Sequence, residues 1–323
     1  MTEDAITGVD LGRGLTLPNP VGLASGTAGY GFELDQLIDI NRLGALYTKG
    51  TTVRAREGNP PPRVAETGGG MLNSIGLQNP GVDAVAAGYA PRWRGWTIPI
   101  IVNIAGGSVE EYVHCATVLE PVAEVAGIEL NISCPNIAQG LDFGRDPVAA
   151  ARLVAAVRKV TERCVIVKLS PNVTDIAAVA RAVEDAGADA VSAVNTYIGR
   201  KIHRASGRSV LPLGTGGLSG PAIQPLALAA VAAVCEAVHI PVIGVGGIVD
   251  AASARDFLIV GASAVQVGTA TFVNPETALQ VLDGLRGGLT TDGRGDGTLA
   301  SSRSGSTECD AESLREGEPR SAV

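Results

Sequence analysis

The segment Asn131-Ile132-Ser133-Cys134-Pro135-Asn136 sets a thiol between two side-chain amides. A free thiol has a pKa of about 8.5, so near pH 7 it is mostly protonated, yet it can take a proton in a concerted step. Asparagine carries a donor and an acceptor on one planar group, which suits the edge of a flat polar ring. Cys134 is therefore the candidate base, and Asn131 and Asn136 are candidate ring-holding groups. The competing reading of Cys134 is a small buried residue, the usual fate of cysteine. Asn73, Asn103 and Asn195 enlarge the set, each at the end of an apolar run or in a long insertion. One asparagine alone would read as a turn residue. The set together points to a heterocycle with alternating donors and acceptors, such as a cyclic imide or urea.

Two lysines extend the pattern. Lys49 ends one apolar run, and Lys168 lies within another, Val165-Ile166-Val167-Lys168-Leu169. Lysine is rarely buried without a partner, so the pair suggests anionic ligands. A flavin ring gains negative charge on reduction, and a lysine at its pyrimidine edge would stabilise that charge. The alternative is a snorkelling side chain or a local ion pair. Gly-rich turns follow the last two apolar runs, Gly244-Val245-Gly246-Gly247 and Gly268-Thr269, and Gly216-Gly217-Leu218-Ser219-Gly220 precedes a helix. Bare backbone N–H groups in such turns can hold phosphate. The alternative is tight turning alone in a chain with 42 glycines. No GxGxxG follows a first strand, which disfavours a Rossmann nicotinamide site.

These residues need a scaffold that brings strand ends together. Apolar, β-branched runs followed by turns and Ala-rich helical stretches recur eight times: Val21–Ala24, Ala45–Thr48, Ile100–Ile104, Ile128–Asn131, Val165–Leu169, Ala190–Val194, Val242–Val245 and Ala264–Val267. Continuous apolar strands alternating with helices predict a parallel sheet covered on both faces. Eight units in about 250 residues predict an α/β fold, the (β/α)8 TIM barrel, with an open doubly wound sheet as the rival. Helices are expected from Asp146-Pro147 through Lys159, from Asp175 to Ala186, from Ser219-Gly220-Pro221 onward, and from Asp250 to Val260. Long insertions, Thr51 to Pro99 and Thr196 to Gly217, follow strand C-terminal ends, the catalytic face of such barrels. The second reads as a polar loop that closes over substrate, and its His203 is a candidate substrate contact. Residues 1–288 are expected to form the barrel and 289–323 a low-complexity, disordered tail.

Composition narrows the class. Hydrophobic content of 46% with 18% charged residues fits a globular protein, and aromatics at 3% leave the core to aliphatic side chains. A net charge of -8 argues against nucleic acid as the main partner. The longest apolar run, Pro225 to Cys235, is too short to cross a bilayer, so no membrane anchor is expected. The N-terminus lacks an apolar signal core, and five cysteines without a CxxC fit a reducing, cytoplasmic setting. Cys115, Cys164 and Cys235 read as structural, and His114, His203 and His239 show no metal-ligand spacing, so no metal is assigned.

The motifs together resemble the dihydroorotate dehydrogenases of pyrimidine biosynthesis, in particular the soluble class 1B catalytic subunits. The resemblance rests on Ala24-Ser25-Gly26-Thr27, Lys49-Gly50-Thr51-Thr52, the run Met71 to Gly81 (MLNSIGLQNPG), Asn131 to Asn136, Val167 to Asp175 (VKLSPNVTD), Gly216 to Ile223 (GGLSGPAI) and Gly261 to Thr269 (GASAVQVGT). It implies FMN at the barrel mouth, its phosphate on the Gly246-Gly247 and Gly268-Thr269 turns with Gly220 nearby. Ser25, Lys49, Gly50, Asn103, Asn131, Lys168 and Val194 would surround the ring and ribityl chain. Lys49, Asn73, Ser74, Ile75, Gly76, Leu77, Asn131, Asn136, Asn195 and Thr196 would hold dihydroorotate or orotate. Cys134 would remove the C5 proton, with Lys49 beside the reacting ring.

Cysteine at 134, where class 2 enzymes have serine, and the short N-terminal stretch point to class 1. The resemblance further implies a homodimer joined to FAD- and [2Fe-2S]-carrying subunits as a heterotetramer, with NAD⁺ as final acceptor. Dihydropyrimidine dehydrogenase, a fumarate-using class 1A enzyme and a non-catalytic flavin-binding barrel are the rivals. The residues after about Leu285 depart from the family's helical end.

Overall fold

The computed structural model describes residues 8–133 and 143–287. Cys134, Asn136 and the expected tail lie outside the described residues. The strands in chain order are β1 (Val9–Asp10), β2 (Thr16–Leu17), β3 (Val21–Leu23), β4 (Ala45–Tyr47), β5 (Val64–Thr67), β6 (Gly70–Asn73), β7 (Ile100–Ile104), β8 (Gly127–Asn131), β9 (Cys164–Lys168), β10 (Ala190–Ala193), β11 (Tyr197–Gly199), β12 (Gly216–Ser219), β13 (Val242–Val245) and β14 (Ala264–Val267). The helices are α1 (Phe32–Asp35), α2 (Val82–Ala84), α3 (Val109–Leu119), α4 (Pro147–Arg158), α5 (Ile176–Asp185), α6 (Gln224–Ala237), α7 (Ala251–Ile259) and α8 (Thr277–Arg286).

Strands β3, β4, β7, β8, β9, β10, β13 and β14 pair in parallel in that order, and β14 pairs back with β3. The result is a closed barrel, the (β/α)8 architecture that the eight apolar runs predict. Each observed strand falls within one or two residues of its run, because a strand buried on both faces is predominantly apolar along its length and a turn marks its end. Helices α3 to α8 follow the last six barrel strands and bury their apolar stripes against it.

Side chains alternate between the two faces of each barrel strand. Outward-facing Ile128, Leu130, Val165, Val167 and Val191 pack under the helices. Inward-facing Ala45, Tyr47, Ile101, Cys164, Ile166, Ala190, Ile243 and Ala264 fill the lower barrel, and Leu11, Leu15 and Leu17 of the β1–β2 hairpin close it from below. The same inward parity carries Glu129, Asn131, Lys168, Ser192 and Gln266 higher in the barrel.

The two insertions differ from the expectation of loops. They contribute strands to one antiparallel sheet in the order β11-β12-β6-β5, backed by Ala65, Leu72 and Leu211. Thr196 to Gly217 is therefore tied to the first insertion through β12, with Gly217 opposite Asn73 and Ser219 opposite Met71. Short, Gly-rich strands whose partners lie far away in sequence leave little local signal.

Asp146, Asp175 and Asp250 cap α4, α5 and α7 by accepting from Val148, Ala178 and Ser253 N–H groups at 2.9, 2.9 and 2.7 Å. At α7 the box is reciprocal, since Ser253 Oγ accepts from the Asp250 N–H. These bonds to Ser253 hold the Asp250 carboxyl below its usual range. A depressed carboxyl stabilises the fold above its unfolded pKa and loses that contribution as pH falls through its folded value. Asp250→Ala should therefore cost about 1 kcal/mol at pH 7, read as a lower denaturation midpoint. The difference should shrink as the pH is taken below about 4.

Candidate active site

The C-terminal ends of the barrel strands open into a cavity of about 600 Å³. Its floor is polar. Lys168 of β9 is 4% exposed, and its ammonium donates to Ser25 Oγ at 3.1 Å and Gln266 Oε1 at 3.3 Å. Glu129 of β8 is fully buried, with Oε1 4.0 Å from Lys168 Nζ. It accepts from Asn103 Nδ2 at 2.6 Å, Ser192 Oγ at 2.7 Å and Gln266 Nε2 at 3.3 Å. A buried ion needs such partners, because desolvation costs several kcal/mol per charge.

Around the rim, asparagines hold one another. Asn195 Nδ2 donates to Asn131 Oδ1 at 3.2 Å and to Ser133 Oγ at 3.0 Å, while Asn195 Oδ1 accepts from the Thr196 N–H at 2.8 Å. Tyr112 of α3 fixes the end of β8 by donating to the Asn131 carbonyl at 2.6 Å. Asn73 donates to the Gly217 carbonyl at 3.1 Å, so both insertions meet at this residue. Lys49 is half-buried on the wall; burial and the nearby Arg63 guanidinium lower its pKa.

Asn73 to Leu77 forms the wall opposite Gly50. Leu77 sits at φ 55°, a left-handed conformation that costs a non-glycine residue roughly 1–2 kcal/mol. Buried Asn79 holds it there. Its Nδ2 donates to the Leu77 carbonyl at 2.7 Å and Thr52 Oγ1 at 2.8 Å. Its Oδ1 accepts from the Thr52 and Gly81 N–H groups at 3.1 and 2.8 Å. Asn59 braces the same stretch, donating to the Ser74 carbonyl at 2.9 Å.

The opposite end of the cavity is built from backbone. Gly246 (φ 141°) and Gly247 (φ 73°) turn away from β13 where a side chain has no room: an added Cβ would come within 2.5 Å of Ala227 Cβ or 2.7 Å of Gln224 Cβ. Among the described residues no acceptor pairs with the N–H groups of Gly246, Gly247, Gly268 or Thr269. Gly220, at the start of the segment leading into α6, completes this end, and Thr269 Oγ1 bonds Ser219 Oγ at 2.7 Å.

With one exception, the site residues expected from sequence that lie within the described residues line this one cavity: Ser25, Lys49, Gly50, Asn73, Ser74, Ile75, Gly76, Leu77, Asn103, Asn131, Lys168, Val194, Asn195, Thr196, Gly220, Gly246, Gly247, Gly268 and Thr269. His203 does not; it is exposed and bonds Ser206 Oγ. Cys115 and Cys164 are buried, and burial pushes both thiols up to about 12, in keeping with a structural role. Sequence reasoning missed Glu129, Ser192 and Gln266. Strand parity could have found them, since each lies two residues before an expected site or turn residue: Asn131, Val194 and Gly268.

The family described as dihydroorotate dehydrogenase matches the chain over residues 12–289. The chain is 51% identical over 289 residues to the protein named dihydroorotate dehydrogenase B (NAD(+)), catalytic subunit, of Trichlorobacter lovleyi, covering 89% of this chain and 95% of that one. Proteins of the same name from Pelobacter propionicus and Porphyromonas gingivalis are 50% and 48% identical. They cover 87% and 90% of this chain, and 92% and 95% of their own lengths.

Asn79 supplies a test of the cavity wall. Asn79→Ala leaves the buried Thr52 and Gly81 N–H groups without their acceptor and should destabilise the protein by about 1–3 kcal/mol. The loss is measured as a shift in denaturation midpoint; an unchanged midpoint would mean that this side chain does not hold the wall.

Proposed function

The chain belongs to the dihydroorotate dehydrogenase family, and on that premise we propose that it is a class 1B catalytic subunit that oxidises (S)-dihydroorotate to orotate in pyrimidine biosynthesis, with NAD⁺ as final acceptor. The observation that carries this reading is convergence. Lys49, Asn73, Asn131, Lys168 and Asn195 reach one cavity from well-separated parts of the chain.

The residues present fit FMN. The N–H groups of Gly246, Gly247, Gly268 and Thr269, which have no acceptor among the described residues, would hold its phosphate. Ala24, Val194 and Leu77 offer apolar flanks, while Ser25, Gly50, Asn103, Asn131 and Lys168 offer polar groups for the ring and ribityl chain. Bound FMN supplies a two-electron acceptor for the hydride that leaves C6 of the substrate.

In this reading the chain's own side chains do the rest. Asn73, Asn131, Asn136 and Asn195 present donors and acceptors to the pyrimidine ring, with the backbone from Ser74 to Leu77 and Thr196 at its edges. Lys49 faces the substrate carboxylate; an anion there offsets both the burial and the Arg63 field that lower its pKa. Cys134 takes the C5 proton; its part rests on its position directly after Ser133, which lines the cavity. Electrons leave for a partner subunit carrying FAD and a [2Fe-2S] cluster, in a heterotetramer built on a homodimer of this chain. No helix among the described residues is long and apolar enough to cross a membrane. A cytoplasmic location belongs to the same proposal.

An anaerobic flavin spectrum of the purified chain tests the reading. Bleaching by dihydroorotate and not by dihydrouracil is expected, with reoxidation by NAD⁺ only when the partner is added. Bleaching by dihydrouracil would reassign the substrate, and reoxidation by fumarate would reassign the class. Cys134→Ala should keep its FMN and lose about 10²–10⁴-fold in turnover. Turnover at the parent rate would remove Cys134 as the base.

A further inference from the structure

We propose that Glu129 is a positioning residue that fixes Lys168 and Asn103 and sets the electron affinity of the flavin; the proposal rests on the FMN reading above. Glu129 is fully buried, on the inward face of β8 two residues below Asn131. Its hydrogen-bond partners among the described residues, Asn103 Nδ2, Ser192 Oγ and Gln266 Nε2, all donate to it. A carboxyl surrounded by donors acts as an ionised acceptor.

That charge orders its neighbours. Lys168 can only donate, so Gln266 must turn Oε1 to the ammonium and Nε2 to Glu129. Glu129 can only accept, so Asn103 must give it the amide NH₂ and keep Oδ1 on the side of Gly50, where both residues line the cavity. One carboxylate thus decides which atom Asn103 offers to a ligand. It also places negative charge 4.0 Å from Lys168 Nζ, in a medium where such fields are weakly screened.

An unopposed ammonium beside a flavin would favour the negative charge gained on reduction and hold the electrons back from the next carrier. Glu129 opposes that field. A purely structural role, offsetting the burial of Lys168, would affect folding but carries no prediction for the ratio of reduced to oxidised flavin binding.

The experiment is a spectroelectrochemical titration of the FMN-loaded protein against Glu129→Gln and Glu129→Asp. Glu129→Gln should raise the preference for reduced over oxidised FMN about tenfold, an upward shift of ~30 mV for a two-electron couple. Glu129→Asp keeps the charge and should stay within about threefold of the parent, roughly half of that logarithmic shift. A Gln variant that holds FMN at the parent potential, or below it, overturns the proposal. If that variant does not fold, Ser192→Ala serves in its place. It removes one donor and leaves more of the carboxylate's charge to act on Lys168, so the potential should fall. A rise or no change there overturns the proposal equally. A parent protein that binds no FMN is seen before any variant is compared; it overturns the flavin reading and, with it, this proposal.

Discussion

An ammonium group buried near the centre of an aliphatic barrel is the constraint that organises the site. Lys168 and Glu129 would each cost several kcal/mol if placed there alone. Together, with Ser25, Asn103, Ser192 and Gln266, they form a hydrogen-bonded layer that no single strand could supply. Five barrel strands, β7, β8, β9, β10 and β14, each give this layer one inward side chain. The closed barrel is the device that makes the layer affordable. Below it the interior reverts to aliphatic packing, and Tyr47 marks the border: burial and the Glu129 charge push its phenol well above the usual range.

Above the polar layer, the two insertions solve a different problem. A cavity open on the barrel face needs a wall, and a wall needs its backbone hydrogen bonds satisfied. The antiparallel sheet β11-β12-β6-β5 satisfies them by pairing the insertions with each other. Strand pairing leaves Asn73 at the junction, and Asn79 then holds the following turn through Leu77 despite its left-handed backbone. Strain at one residue is tolerated because Asn79 and Asn59 anchor the residues around it.

Much of the barrel was legible in the sequence because its signals are local. Apolar runs such as Ile100–Ile104 and Val242–Val245 needed only hydrophobicity and a following turn, and Asp146, Asp175 and Asp250 announced helix starts within a few residues. The site residues at strand ends were legible by position and by the family motifs. Glu129 was not, because strand parity turns it inward with Asn131 but does not say what a single charge inside an apolar run pairs with. Its hydrogen-bond partners lie 26, 63 and 137 residues away. The insertion strands escaped for the same reason: the Asn73 bond to Gly217 spans 144 residues, and Gly-rich segments show no alternation of their own.

The two lysines of the cavity are set differently, and the difference follows from their surroundings. Lys168 is balanced within the protein, by Glu129 across 4.0 Å and by neutral acceptors in contact. Lys49 is half-buried beside Arg63, and no carboxylate among the described residues lies within ion-pair distance of it. In the proposed reading, the first serves a ring that is neutral before reduction, so its charge has to be tempered from below. The second serves a substrate that arrives already negative, so its partner comes with the ligand. A protein with a net charge of -8 can therefore take anionic ligands without a basic surface. In that reading the attraction comes from Lys168, from Lys49 with Arg63 beside it, and from backbone N–H groups at the glycine turns.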